Sequence, residues 1–256
     1  MRAPKISQFP GKFGQNPRAK LKPMAPTPGK PKSVGEFREL YRREVIPGAY
    51  SGVVHGAFAA TTLVGAAVLS TLRVRHMTSL EWLTIPAVFL FGNLLEYWMH
   101  RIPLHRTLPG AGMIFKIHTL EHHRFFTPEF PSYESPRDFH TVFFPVWAPL
   151  LALLIFECAG KWLLTPFLSR NIAALFTSFG ALYFLMYEVF HFSHHRPGQP
   201  YRGKKDPLSR VMEFSRAHHT LHHAPERMTR KNFNVTLPLC DWLFGTLGKN
   251  NSEDSA

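Results

Sequence analysis

Residues 171–195 read NIAALFTSFGALYFLMYEVFHFSHH. The first seventeen of them, 171–187, contain no Asp, Glu, Lys or Arg, and the run then passes directly into His191, His194 and His195. A bilayer core of about 30 Å asks for about 20 apolar helical residues, so this stretch reads as a membrane span. Histidines three and four residues apart share one helix face. A span that ends in a row of imidazoles predicts an all-α integral membrane protein with potential metal ligands gathered at a span end.

The rest of the chain repeats the theme. Residues 53–72 and 139–156 also lack Asp, Glu, Lys and Arg, which gives apolar segments at about 52–72, 80–99, 140–157 and 171–190. The second carries Glu81, Pro86, Asn93 and Glu96, so it is not a plain lipid-facing helix; the third contains Pro145 and Pro149. The joints at 73–79 and 158–170 are short. Four transmembrane helices in two hairpins, carrying a His-rich helical cap, are the economical arrangement. The mean hydropathy of −0.11 alone would point to a soluble protein, but it averages over charges that lie in blocks.

Those blocks give orientation. Lys and Arg total 30 against 17 Asp and Glu, a formal charge of +13. Eleven of the basic residues fall in 1–51, five in 100–141 and ten in 191–256. Basic residues favour the cytoplasmic side, and an even number of spans puts all three blocks there, together with both termini and every dense His cluster. Arg73 and Arg75 run against this assignment. Nucleic acid is not an expected partner, since no zinc-finger or RRM signature accompanies the charge. Two cysteines, Cys158 and Cys240, are too few for a disulfide framework, a Cys-ligated zinc module or an iron–sulfur cluster.

Residues 1–48 are rich in Pro, Gly, Lys and Arg. They read as a tail, disordered to about Ser33, that is either a basic arm for anionic headgroups or merely solvated. Residues 36–44 (EFRELYRRE) fit a short interfacial helix. The expected division is therefore a tail at 1–48 and a membrane domain at 49–250.

Twelve of the 15 histidines fall in four clusters: His100 and His105; His118, His122 and His123; His191, His194 and His195; His218, His219, His222 and His223. Neutral imidazole ligates iron, zinc, copper and nickel, and these rings are too many for one six-coordinate ion, so two ions are expected. On an α-helix His122 and His123 diverge by about 100° and reach two different ions, or one of them supports the other. Pro103 is expected to end the helix and free His105 to turn inward. His194 and His218 are the surplus members of their clusters, with His194 an alternative to His195. His55, His76 and His140 read as isolated. Glu96, Glu121 and Glu188 read as partners for ring N–H groups or as salt-bridge residues. Neither HExxH nor PCxxC is present, which excludes the usual zinc protease and deaminase.

As a set, H-x4-H (His100, His105), H-x3-H-H (His118, His122, His123) and two H-x2-H-H boxes (His191, His194, His195; His219, His222, His223) resemble the fatty acid hydroxylase/sterol desaturase superfamily. The closing block NFNVTLPLCDWLFGTL (Asn232 to Leu247) is similar to the stretch after that family's last box. The resemblance spans about 95–247. It implies an integral membrane, non-haem di-iron oxidoreductase that uses dioxygen and external electrons to hydroxylate or desaturate a lipid carbon chain. The sphingolipid/fatty acid 2-hydroxylase branch is the nearest in pattern. By that likeness the metal ligands are His100, His105, His118, His122, His123, His191, His195, His219, His222 and His223, with no catalytic residue beyond them. Two features differ from that branch: three residues rather than two precede the second His pair, and no cytochrome b5-like domain precedes the spans. Sterol- and carotenoid-acting relatives stay open, as does a non-enzymatic metal-binding membrane protein. The chain has no G-x-G-x-x-G fingerprint, so the resemblance implies a separate donor, a cytochrome b5-like protein or a ferredoxin with its reductase.

Overall fold

The computed structural model describes residues 32–248; the disordered tail expected before Ser33 therefore falls almost wholly outside the described residues. Among these the fold is all helical. The main helices are α1 (Val34–Glu44), α2 (Gly52–Thr71), α3 (Thr84–Met99), α4 (Trp147–Ala159), α5 (Arg170–His194), α6 (Pro207–His222) and the short α7 (Leu239–Leu243). Four of the starts are fixed by side-chain caps. Ser33, Ser51, Ser169 and Asp206 each accept a hydrogen bond from the amide three residues on, which satisfies a donor the helix cannot.

Three helices are long and apolar enough to cross a membrane: Gly52–Thr71, Trp147–Leu164, in which α4 continues through a wide turn, and Arg170–His194. The fourth segment expected from the sequence is α3. It runs on through a wide turn at His100–Leu104, but it is not among the three helices long and apolar enough to span, and it carries the polar Asn93 and Glu96. α5 is the hub, with α2, α3, α4 and α6 all packing on it. Half of its apolar window is buried, against 11% for Trp147–Leu164. The two helices of the first expected hairpin thus pack on α5 more than on each other. Small side chains permit this: Ala67 and Ala181 join Leu63 in one buried cluster, and Gly92 of α3 meets the Tyr183 ring so closely that a Cβ there would lie 2.7 Å from it. Close backbone approach at small residues is how helices associate in lipid.

The bundle has two distinct ends. At one, Glu81 accepts from Ser169 Oγ at 2.6 Å and Asn171 Nδ2 at 3.0 Å, while Asn171 also bonds the backbone of Arg75. This knot closes the α2–α3 joint onto the start of α5. At the other end lie the start of α2, the ends of α3 and α5, and α1. There α1 is folded onto the body: Tyr41 packs with Ile46, Phe125, Phe126 and Val142, and Arg38 is only 2% exposed. The helix expected at 36–44 is present, and it packs on the body through Tyr41.

Candidate metal centre

The second His box sits in a continuous helical run from Gly112 to Phe125 whose middle, Lys116–His122, is π-helical. The first box has the same device at His100–Leu104. A turn closed by i→i+5 bonds advances about 80° per residue instead of about 100°. Residues four and five apart then flank a common direction, so His118, His122 and His123 face one way. Pro103 does not end the first helix, as the sequence led us to expect; it lies inside the wide turn, which absorbs its missing N–H.

All ten histidines named by the resemblance are buried, and their Nε2 atoms meet in two adjoining sets. One nitrogen from each of His100, His105, His118, His123 and His222 lies within 4.8 Å of the others. The same holds for His122, His195, His219 and His223, with His191 Nε2 3.2 Å from His122 Nε2. The sets touch through neighbouring rings such as His123 and His223, stacked at 4.2 Å.

The far side of the rings fixes their protonation. A carbonyl oxygen only accepts, so a ring nitrogen bonded to one carries the hydrogen. His122 Nδ1 donates to Thr141 O at 2.7 Å, His191 Nδ1 to Val142 O at 2.9 Å, His195 Nδ1 to Pro131 O at 2.7 Å, His222 Nδ1 to Lys231 O at 2.9 Å and His223 Nδ1 to Phe126 O at 2.8 Å. His100 Nδ1 donates to Phe233 O. Thr119 gives its hydroxyl hydrogen to Leu104 O, so its oxygen is left to accept from His105 Nδ1 at 3.2 Å. In a neutral ring the remaining nitrogen then holds a bare lone pair. Yet His122 and His223 place these nitrogens 3.2 Å apart, and His105 and His222 place theirs 2.9 Å apart. No proton is available to join either pair. Facing lone pairs at hydrogen-bond distance repel unless a cation lies beside them.

Burial keeps the rings in the neutral, ligating form. Removal from water holds His118, His123, His219, His222 and His223 well below the usual imidazole range, and the neighbouring rings add to it. His122 is held down to about 4, again chiefly by burial and against its bond to Thr141 O.

The remaining expectations sort cleanly. His195 is in the set and His194 is not: His194 Nε2 bonds Ser215 Oγ at 3.0 Å. His218 points away to Asp241. His55 is satisfied by Tyr50 and Phe144 O, and His140 by Tyr41. The glutamates do not orient rings, because backbone carbonyls have taken that role. Glu96 instead receives the amides of Val235 and Thr236, the Thr236 hydroxyl and the Tyr183 hydroxyl. Glu121 accepts from Tyr41, and Glu188 from the amide of Phe144.

Sequence reasoning missed the closing block's part. Asn93, Glu96 and Asn234 are buried and fasten the closing block to α3, while the buried Asp241 holds the amides of Phe233 and Asn234. That fixes Phe233 O, the acceptor for His100. Asn232, at φ +61°, bonds His218 O and Gly248 N, next to Lys231 O, the acceptor for His222. The only signal was the unusual density of Asn and Asp in an otherwise apolar block.

A narrow apolar cavity of about 40 Å³ opens against His118, His122 and His191, walled by Leu104, Ile117, Val142, Phe144, Trp147 and Tyr187 among others.

The fold and site define an all-helical protein of membrane type with a histidine cage suited to metal. The fatty acid hydroxylase family model matches residues 85–246, and the chain belongs to that family, a family of membrane oxidoreductases. No curated protein and no solved structure matches it.

Proposed function

We propose that this chain is a di-iron, dioxygen-dependent hydroxylase of a lipid C–H bond, its substrate the acyl chain of a fatty acid or sphingolipid. The observation that carries the reading is the set of bare Nε2 lone pairs facing one another at about 3 Å across a buried cage. In this reading His100, His105, His118, His123 and His222 hold one ion, and His122, His191, His195, His219 and His223 the other.

Bound iron would supply the redox chemistry for attack on an unactivated C–H bond, which zinc lacks. The chain's own residues do the rest. The carbonyls of Phe126, Pro131, Thr141, Val142, Lys231 and Phe233 lock ring orientation and tautomer, which raises ligand basicity. The apolar cavity keeps water from the reacting carbon. At about 40 Å³ it holds one or two small molecules, so an acyl chain enters by displacing wall residues such as the partly exposed Trp147. Electrons come from a separate cytochrome b5-like or ferredoxin-type donor. The Lys and Arg of the basic loops support a cytoplasmic position for the His end.

Lipid profiling of a host with and without the gene, by mass spectrometry, tests this. A gain of one oxygen on an acyl chain, absent with His222→Ala, is expected. Loss of two hydrogens would move the reading to a desaturase, and a product on a sterol or carotenoid would move the substrate. Purified wild-type protein holding no iron after iron-replete expression would remove the centre altogether.

A further inference from the structure

The two sets of rings are oriented by different parts of the chain. His100 donates to the carbonyl of Phe233 in the closing block and His222 to that of Lys231 just before it. His122, His191, His195 and His223 donate to Thr141, Val142, Pro131 and Phe126. These last four carbonyls all belong to segment 126–142.

That segment is held by α1, which precedes the family match at 85–246. Arg38 donates to Phe130 O at 3.4 Å and Ser132 O at 3.0 Å, on either side of Pro131. Its guanidinium lies 4.6 Å over Phe125 and 5.9 Å from the ring centre of Phe126, and Phe126 stacks on His195 at 4.0 Å. Arg42 grips both oxygens of the buried Asp138 at 2.8 Å. Asp138 in turn accepts the amides of Glu134 and Ser135, and its own carbonyl accepts from Thr141 Oγ1 at 2.8 Å. None of these arginine contacts reaches the closing block.

We propose that Arg38 and Arg42 are positioning residues for one metal subsite only, the one built from His122, His191, His195, His219 and His223. The inference rests on the two-ion reading above. Helix α1 acts as a strap: its arginines bond none of the ten cage imidazoles, and they set the carbonyls that aim four of them.

The test is cobalt(II) titration of the full-length, metal-stripped protein in detergent, followed by absorption, with His195→Ala and His222→Ala as single-subsite references. Wild type is expected to bind two ions. Arg38→Ala and Arg42→Ala are expected to bind one ion with unchanged affinity and the second about tenfold or more weaker, as for other changes to groups that orient ligands. The spectrum of the tight ion should match that left in His195→Ala, and Arg38→Ala with His195→Ala should be no worse than His195→Ala alone. Should Arg38→Ala fail to accumulate, Arg38→Lys carries the test, since it keeps the charge and loses the fork; a partial loss at the same subsite is expected. Two ions at wild-type affinity in these variants, or equal weakening of both, overturns the strap. Wild type that binds no cobalt overturns the metal-centre reading itself, and the strap with it.

Discussion

His218 Nε2 lies 3.1 Å from Asp241 Oδ2 with both side chains buried. The pair ties the last His helix to the closing block, and Asp241 also accepts from the amides of Phe233 and Asn234 and from Thr246 Oγ1. Removing the carboxylate strands several buried donors, each costing about 1–3 kcal/mol. Asp241→Ala is therefore expected to lose at least about 3 kcal/mol, and Asp241→Asn less. Thermal unfolding in detergent measures it, and unchanged unfolding in Asp241→Ala would show that the clasp contributes nothing.

His122 sits where both sets of rings adjoin. His122→Ala is expected to abolish turnover and lower metal content while leaving the protein in the membrane fraction, because no span depends on this ring. Normal product formation in the variant would reject His122 as a ligand.

Acid should weaken the metal-free fold. The unfolded His122 ring takes up a proton near pH 6.5, whereas the folded one resists until about 4. The folded pKa is depressed, so the contribution to stability is complete above about 6.5 and is lost as pH falls from there toward 4, by up to about 1.4 kcal/mol per pH unit for each such ring. Unfolding temperatures of the stripped protein across that window report it; a flat profile would mean the rings are not held neutral.

Val142 walls the cavity and is 3% exposed. Val142→Phe fills the space beside His118 and His191 at an overpacking cost of about 1–3 kcal/mol. Lipid turnover should fall with metal content retained. Full activity would place the acyl chain elsewhere.

Gly92→Ala would put a methyl 2.7 Å from the Tyr183 ring, and Tyr183 in turn bonds Glu96 at 2.5 Å. A destabilisation of about 1–3 kcal/mol is expected, read from thermal unfolding; none would mean that α3 shifts freely on α5.

The fold class was legible because lipid demands long uncharged runs, and 53–72 and 171–187 are such runs. The convergence of the rings was legible because twelve of the 15 histidines fall in four short clusters beside apolar segments. What orients the rings was not: backbone carbonyls carry no residue signature, so acids near the boxes drew attention that belonged to Thr141, Val142 and Pro131. The role of α1 was hidden for the same reason, since Arg38 and Arg42 look like surface charge in EFRELYRRE until the 126–142 segment folds under them. The choice between His194 and His195 depended on tertiary packing against Ser215.

The wide winding at Lys116–His122 has a bearing on how the spacing of this box is read. In a regular helix each residue adds a step of about 100°, which would leave His122 and His123 pointing apart. Here the slack coil at Lys116–His122 turns less per residue, and His118, His122 and His123 keep a common bearing. The bearing of these three imidazoles is therefore set by how the coil is wound and not by the spacing of letters alone, so a substitution that restored a tighter winding at Lys116–His122 would swing the rings apart without touching any of them.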